Sequence, residues 1–545
     1  MSELKWDKAV DWLLVFLLLV GFSLQLYLVY FGYQTYHYLV PPGSDAISHY
    51  NIIRRIIDTG NVDFMAYPPG FHLLVIFFSK ITTVKIFDIL TYWTPVLVVL
   101  PALSMYFLLR QLFDNKVSVL TSLTFLLASS YPIYSFIDGN YPDILAYGVF
   151  AVLLFAFLIR YFKNNKWLDL ILACVFLILI ALTHHLTFVG IVAILGIFAF
   201  IQLVVAHMEH RLKIKLISWQ CLMGCIVALL VGLSLYFAFR FYGPTILKFA
   251  DGFFANSPSN QNNYLNQSVD WSNYALFAGN TIWYVGLIGL LFLIVTTFNK
   301  GYEIKTKQLV LVWFAFFFVM SRFAASALPA RFARELAPVL VVAIGFLFNY
   351  IFNLNALRLH RYKLIFGYAL VAFMIVTSSA LFTGPAKIPD SFNLMIWFWP
   401  KDQQDLDYIN SHVSTRYGVL YNPFANLYLP IKASSNFTSL NLSEDQLAIT
   451  EAHMADQGSH YHPYLDMNTK ALKALSGYDK MIFDLSNSNR YKYIFVGVKP
   501  PSNPDPKVYT GYTNFEPYNE VLEDLGRNGV LVKKFEDGSR LIKMF

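Results

Sequence analysis

Asp45 and His49 stand four residues apart in the stretch SDAISHYNIIRRIIDTGNVDFMAYPPGFH, residues 44–72. On a helix that spacing puts both on one face. There a carboxylate and an imidazole could act on a proton, a phosphate or a metal together. His72 closes the stretch, directly after a Tyr-Pro-Pro-Gly turn. Two more acids, Asp138 and Asp143, flank the segment GNYP, and His184 and His185 are adjacent in ALTHHLTF. Arg331 and Arg334 are three apart in SRFAASALPARFARELAP, with Glu335 next in line. Their spacing lets them point the same way, and the planar guanidinium fork suits phosphate oxygens. Each group also has a plainer reading. Asp143 could cap a helix, the histidine pair could close a turn, and the arginines, like Arg54 and Arg55, could meet lipid headgroups.

The elements that carry these residues follow from the composition. The chain has 545 residues, of which 57% are hydrophobic and only 14% charged, with a mean hydropathy of +0.50. A soluble domain carries about 25% charged residues. Apolar runs near 20 residues, enough to cross about 30 Å of hydrocarbon, recur along the chain. A polytopic α-helical membrane protein is expected. The net charge of +7 resides largely in short basic loops, which orient membrane helices, so nucleic acid is not an expected partner. Cys174, Cys221 and Cys225 lie in apolar runs without metal-ligand spacing and read as small buried hydrophobes.

Basic clusters set the topology. Lys5/Lys8, Arg110/Lys116, Arg160/Lys163/Lys166, Arg211/Lys213/Lys215, Lys300/Lys305/Lys307 and Arg358/Arg361/Lys363 are all expected on the cytoplasmic side. This works if the run 71–78, too short to span, is an interfacial or re-entrant helix within one outer loop of about 32–87. About 11 spans result: 9–31, 88–110, 117–136, 143–162, 168–183, 187–206, 217–240, 275–298, 308–324, 335–354 and 364–383. The first run is too long for a signal-peptide core and reads as a retained helix. The N-terminus is then cytoplasmic, and the acids, histidines and arginine pair all fall at outer helix ends. An ionisable residue at membrane depth costs about 2.5–3.5 kcal/mol on insertion scales, so each is a functional candidate.

Residues 1–383 thus form a membrane domain. Residues 384–545 regain Pro, Asn, Asp and Lys and hold no run able to span. KDQQDLDYINSH reads as a helix, and YGVLYN and YKYIFVGV as strands. VLVKKFEDGSRLIKMF reads as a hairpin around Asp537–Gly538. A C-terminal extracytoplasmic α/β domain is expected. His453, His460 and His462 there read as surface histidines. Asn266, Asn436 and Asn441 head Asn-x-Ser/Thr sequons, all in regions placed outside.

A first span, an outer loop carrying GSDAISHYNIIRRIIDTG, then YPPGFHLL, LPARFARELAPVLVVAIGFLF and a soluble C-terminal region together resemble the GT-C superfamily of integral membrane glycosyltransferases. The resemblance runs from about residue 9 to the end. It implies a sugar donor on a polyprenyl phosphate, an extracytoplasmic site, and a glycan, lipid or protein acceptor. It implies Asp45 as catalytic base or metal ligand, with Asp138 and Asp143 in the region of further acids. A divalent metal, Mg or Mn, is the expected cofactor where such acids serve as ligands. The chain lacks an Asp-x-Asp in that region, which argues against metal dependence, and it lacks the Trp-Trp-Asp of oligosaccharyltransferases, which disfavours transfer of a large oligosaccharide to asparagine. Asp45 and His49 are therefore the expected catalytic residues, and Arg331 and Arg334 the expected lipid-phosphate ligands. Asp138, Asp143, His72, His184 and His185 are further substrate or metal candidates. A secondary transporter and a non-catalytic scaffold on the same fold are the alternatives. A transporter would need midplane polar groups and usually repeats or broken helices.

Overall fold

The computed structural model describes residues 12, 15–30, 41, 44–62, 67–208, 269–296, 302–322, 329–353, 360–377, 400–413, 418–421, 436–439, 493–496, 515–527, 529–535 and 539–544. The chain divides into two compact units. One holds Met1–Tyr36 with Pro41–Met395, and the other His37–Val40 with Ile396–Phe545.

The first unit is helical. Among the described residues, six helices are long and apolar enough to cross a membrane: Ile86–Leu112, Asn115–Ile137, Tyr141–Asn164, His185–Val205, Ile304–Arg322 and Arg331–Phe352. A seventh span is available if Trp271–Ala278 and Asn280–Thr296, bent by 106° to one another, count as one. Val15–Tyr30, Gly70–Thr82, Trp167–Thr183 and Gly367–Thr377 are apolar but shorter. These helices do not establish the expected count of about 11. Three of the anticipated spans, 9–31, 168–183 and 364–383, fall on short helices, 275–298 falls on the bent pair, and 217–240 lies outside the described residues. Gly70–Thr82 has 13 residues, about 20 Å of helix, and so is too short to cross.

Packing explains which helix is central. Asn115–Ile137 has 94% of its apolar window buried. Asp114 caps it by accepting a hydrogen bond from the Val117 amide at 2.8 Å. The Asn280–Thr296 and Leu336–Asn353 helices approach closely because glycines line the contact. A Cβ on Gly289 would lie 2.5 Å from the Ala343 carbonyl oxygen, and one on Gly286 would lie 2.8 Å from Leu340 Cβ. Close approach of small residues is how membrane helices gain dispersion energy without a hydrophobic driving force. The sharp bend falls at Gly279, whose φ of +99° glycine adopts without steric cost. The Ser130 amide donates to the Ala278 carbonyl there.

Two spans contain π-helical turns, Ile89–Trp93 and Ile144–Ala151. Such wide turns displace the register of a helix and occur often at functional sites. The second begins directly after Asp143.

The second unit contains the helix Pro400–His412 and a five-stranded sheet. Its strands are β1 (Gly418–Tyr421), β2 (Asn436–Ser439), β3 (Tyr493–Val496), β4 (Val530–Lys534) and β5 (Arg540–Lys543), in the order β2-β1-β3-β5-β4. β1 pairs in parallel with β2 and β3, while β5 pairs antiparallel with β3 and β4. The β4–β5 hairpin forms where the alternation predicted it. β2 and the helix Phe515–Gly526 were not anticipated. Asn436 begins β2, whereas Asn266, Asn441 and the three surface histidines lie outside the described residues.

Candidate active site

The Ser44–Thr59 helix has Asp45 in its first turn. Arg331 lies on the short Pro329–Arg334 helix, and its Nη2 donates to Asp45 Oδ2 at 3.5 Å. Arg334, one turn on, sends Nη1 and Nη2 to a single oxygen of Asp138, both at 3.2 Å. Asp138 ends the Tyr131–Ile137 helix. Three separate connections therefore build two carboxylate–guanidinium pairs side by side. The Asp45 and Asp138 side chains keep 37% and 29% exposure, so this layer remains open to solvent. Burial raises the Asp45 carboxyl above its ordinary range and the Asp138 carboxylate adds to the rise, while Arg331 and Arg334 oppose both.

Beneath it is a closed layer. Asp143 and Glu335 are 4% and 1% exposed. Asp143 accepts from the Thr187 hydroxyl at 3.1 Å, the Tyr131 hydroxyl at 3.4 Å and the Ser135 hydroxyl at 3.5 Å. Thr187 also contacts His184 Nδ1 at 2.7 Å, and that nitrogen is 3.6 Å from Asp143 Oδ1. Glu335 lies beside Asp143, within hydrogen-bonding reach, and among the described residues its Oε2 has no partner. Its backbone carbonyl receives the Tyr147 hydroxyl, which in turn takes the Trp313 indole N–H. Buried carboxylates are expensive unless hydrogen-bonded and charge-compensated. The arginines above act electrostatically on both acids.

A third group adjoins these layers. His49 Nδ1 meets His72 Nε2 at 3.1 Å, and His72 Nδ1 meets the Pro68 carbonyl at 3.2 Å. Tyr67 links the histidines, with its ring centroid 5.3 Å from His49, 5.6 Å from His72, 6.1 Å from His184 and 5.5 Å from His185. Burial depresses His49 well below its usual range and takes His72 down to about 4. Burial first, and then the neighbouring His185, depress His184 as well. The Tyr-Pro-Pro-Gly turn has a packing reason. A Cβ on Gly70 would lie 2.6 Å from the Leu182 carbonyl oxygen and 2.9 Å from Thr183 Oγ1. Only glycine lets this helix start reach the chain just before His184.

All nine candidates are thus in or beside one cluster, but not in the roles their spacing suggested. His49 does not pair with Asp45. It turns to His72, and Asp45 goes to Arg331. Asp143 is not a cap, because Asn140 occupies the N-cap position and Asp143 points into the buried network. Arg331 and Arg334 are each already engaged by an acid. Arg322 is apart from them, donating to the Val269 carbonyl and lying 6.0 Å from the Trp271 ring centroid.

Spacing gave no sign of Tyr67, Tyr131 or Thr187, which are ordinary residues in apolar surroundings. Glu335 carried a signal, as an acid directly after two arginines. The expectation of Mg or Mn finds no support in the donor set. Among the described residues, no three His, Cys, Asp or Glu side chains form a group that could hold a metal. Asp45 and Asp138 face guanidinium groups, and His72 is spent on His49 and Pro68. As arranged, these residues do not fit a resident divalent cation.

The sequence matches no protein-family model. It also matches no curated protein. Its fold, however, is similar to those of two solved membrane enzymes, an archaeal oligosaccharyltransferase and ArnT. The archaeal oligosaccharyltransferase AglB from Archaeoglobus fulgidus, in complex with an inhibitory peptide and a dolichol-phosphate, superposes with a TM-score of 0.52 at 13% identity, covering 88% of this chain and 69% of that one. ArnT from Cupriavidus metallidurans, bound to undecaprenyl phosphate, superposes with a TM-score of 0.55 at 12% identity, covering 97% of both chains. A second structure of the A. fulgidus enzyme, in complex with Zn and sulfate, gives a TM-score of 0.51 at 14% identity, covering 88% of this chain and 67% of that one.

Proposed function

We propose that this protein is a glycosyltransferase that moves a sugar from a polyprenyl-phosphate donor to an acceptor hydroxyl at the extracytoplasmic face, with inversion at the anomeric carbon. The observation that carries this reading is the open layer of Asp45–Arg331 beside Asp138–Arg334. It supplies two cations and two carboxylates at one surface of a fold whose solved neighbours hold dolichol phosphate and undecaprenyl phosphate.

The chemistry follows from those four groups. The donor phosphate competes with the carboxylates for Arg331 and Arg334, because charge-assisted pairing to phosphate is at least as strong as pairing to carboxylate. Asp45, released from Arg331, becomes a free base whose carboxyl burial holds above its ordinary range, which strengthens it as a proton acceptor. The acceptor oxygen forms its bond to the sugar C1 while Asp45 takes the hydroxyl proton. The bond from C1 to the phosphate oxygen breaks, and its electron pair leaves with the polyprenyl phosphate. The added negative charge develops against the two guanidinium groups. Phosphate needs no strong general acid to depart, and one displacement inverts C1.

The transporter alternative is less well supported. The bent span at Gly279 is the kind of break transporters use, yet Trp271–Ala278 and Asn280–Thr296 carry no Asp, Glu, His, Lys or Arg. The test incubates purified protein with radiolabelled polyprenyl-phosphate sugars and a membrane extract as acceptor source. Label should leave the lipid for a new product only when protein is present. Label that crosses a sealed proteoliposome unchanged would favour transport instead.

A further inference from the structure

His72 Nδ1 faces the Pro68 carbonyl at 3.2 Å, and a carbonyl oxygen can only accept. His72 Nδ1 therefore carries the hydrogen. His72 is fully buried, and burial holds it neutral at pH 7, so its Nε2 has a lone pair and no hydrogen. His49 Nδ1, 3.1 Å from that lone pair, must then be the donor. His49 is 3% exposed and also neutral, which leaves its Nε2 as a bare lone pair. That atom is buried and, among the described residues, has no partner. The chain of bonds thus has a direction. It starts at Pro68, runs through two tautomerically fixed imidazoles and ends in one unsatisfied acceptor. A buried acceptor without a donor is costly and calls for an explanation. It sits one helical turn from Asp45, beside Tyr67, and within electrostatic reach of Arg331.

On the reading of the site given above, we propose that His49 Nε2 accepts a hydrogen bond from a hydroxyl of the donor's sugar, with His72 as the positioning residue that fixes the acceptor tautomer. His49 is then a reader of the sugar rather than a partner of Asp45 or a metal ligand. A site built around a buried acceptor discriminates strongly against a ligand that cannot fill it.

The relay makes a prediction that needs no substrate. In full-length protein labelled with [15N]histidine and held in lipid nanodiscs at pH 7, both imidazoles should be protonated at Nδ1 and unprotonated at Nε2. The His49 signal is assigned by its loss in His49→Gln. A hydrogen on His49 Nε2 in the free protein would overturn the proposal. The second arm measures binding of two probes, undecaprenyl phosphate alone and the polyprenyl-phosphate sugar fraction extracted from the source membranes. His49→Leu should weaken binding of the sugar-bearing fraction about tenfold, the loss of one hydrogen bond, and leave the bare lipid unchanged. His72→Leu should act in the same direction. His72→Gln, whose amide oxygen can still accept from His49 Nδ1, should restore binding. Equal effects of His49→Leu on both probes, or no effect on either, would overturn the proposal. The account of sugar transfer fails separately, if no label leaves the lipid while the histidine tautomers are as stated.

Discussion

In the proposed reaction Asp45 is the residue on which the chemistry turns, and its surroundings fix how it should respond to pH. A base must be ionised to act, and burial and Asp138 raise the carboxyl above its ordinary range. The acidic limb of the kcat profile should therefore lie above the usual carboxylate value of about 3.9, with activity lost as pH falls through it. In Arg331→Ala the opposing charge is gone, so the limb should move further up. The same variant should bind donor about tenfold more weakly, the cost of a charge-assisted hydrogen bond, with its fold retained. Unchanged donor affinity in Arg331→Ala and Arg334→Ala would remove both arginines as phosphate ligands. His72 makes a stability prediction of definite sign. Its pKa falls from 6.5 unfolded to about 4 folded, so below pH 6.5 the unfolded chain binds the extra proton first. The folded state should lose stability as pH drops from about 6.5 toward about 4. Thermal melts of the wild type and His72→Gln should converge across that window, and parallel curves would contradict it. The residue types of this site were legible in the sequence because ionisable groups stand out in an apolar chain. Their partners were not. Arg331 and Asp45 are 286 positions apart, and local spacing had instead coupled Asp45 to His49.

The elements explain why the pairs meet. The Gly70–Thr82 helix is too short to span, and its start is pressed against Leu182 and Thr183 at Gly70. That contact holds His72 and Tyr67 near His184. Gly70→Ala should force the two segments apart and cost about 1–3 kcal/mol, as overpacking does, with a lower melting temperature and reduced sugar transfer. A fully active, equally stable Gly70→Ala would show that this approach does not position the site. The short helix was readable from its apolar length alone. The π-helical turn after Asp143 was not, because nothing in ILAYGVFA distinguishes it from ordinary helix. Asp143 directly precedes this segment and accepts from the buried Thr187 hydroxyl. In the second unit, alternation revealed the hairpin strands, while β2 was missed because Asn-Phe-Thr-Ser is short and carries turn-forming residues.

For the whole molecule, the basic loops carry the proposal that Lys163 and Lys305 are cytoplasmic and residues 384–545 extracytoplasmic. An impermeant thiol reagent should label a single cysteine introduced in the Pro400–His412 helix in intact cells and should not label one at Lys163. The opposite pattern would invert the face of catalysis. The sequence carries an expectation of net orientation because charge bias is a bulk property, and the labelling pattern is its test. The count of spans could not, since short helices such as Trp167–Thr183 do not reveal by length whether they cross. The central claim is that this fold carries a base-assisted sugar transfer from a polyprenyl phosphate. The most direct test compares wild type with Asp45→Asn in the radiolabel assay, with undecaprenyl-phosphate binding measured in parallel. Asparagine keeps the shape of the side chain and removes proton acceptance. Transfer should fall by about 100-fold or more, the contribution of a positioned base, while lipid binding persists. Near-normal transfer by Asp45→Asn would contradict the account.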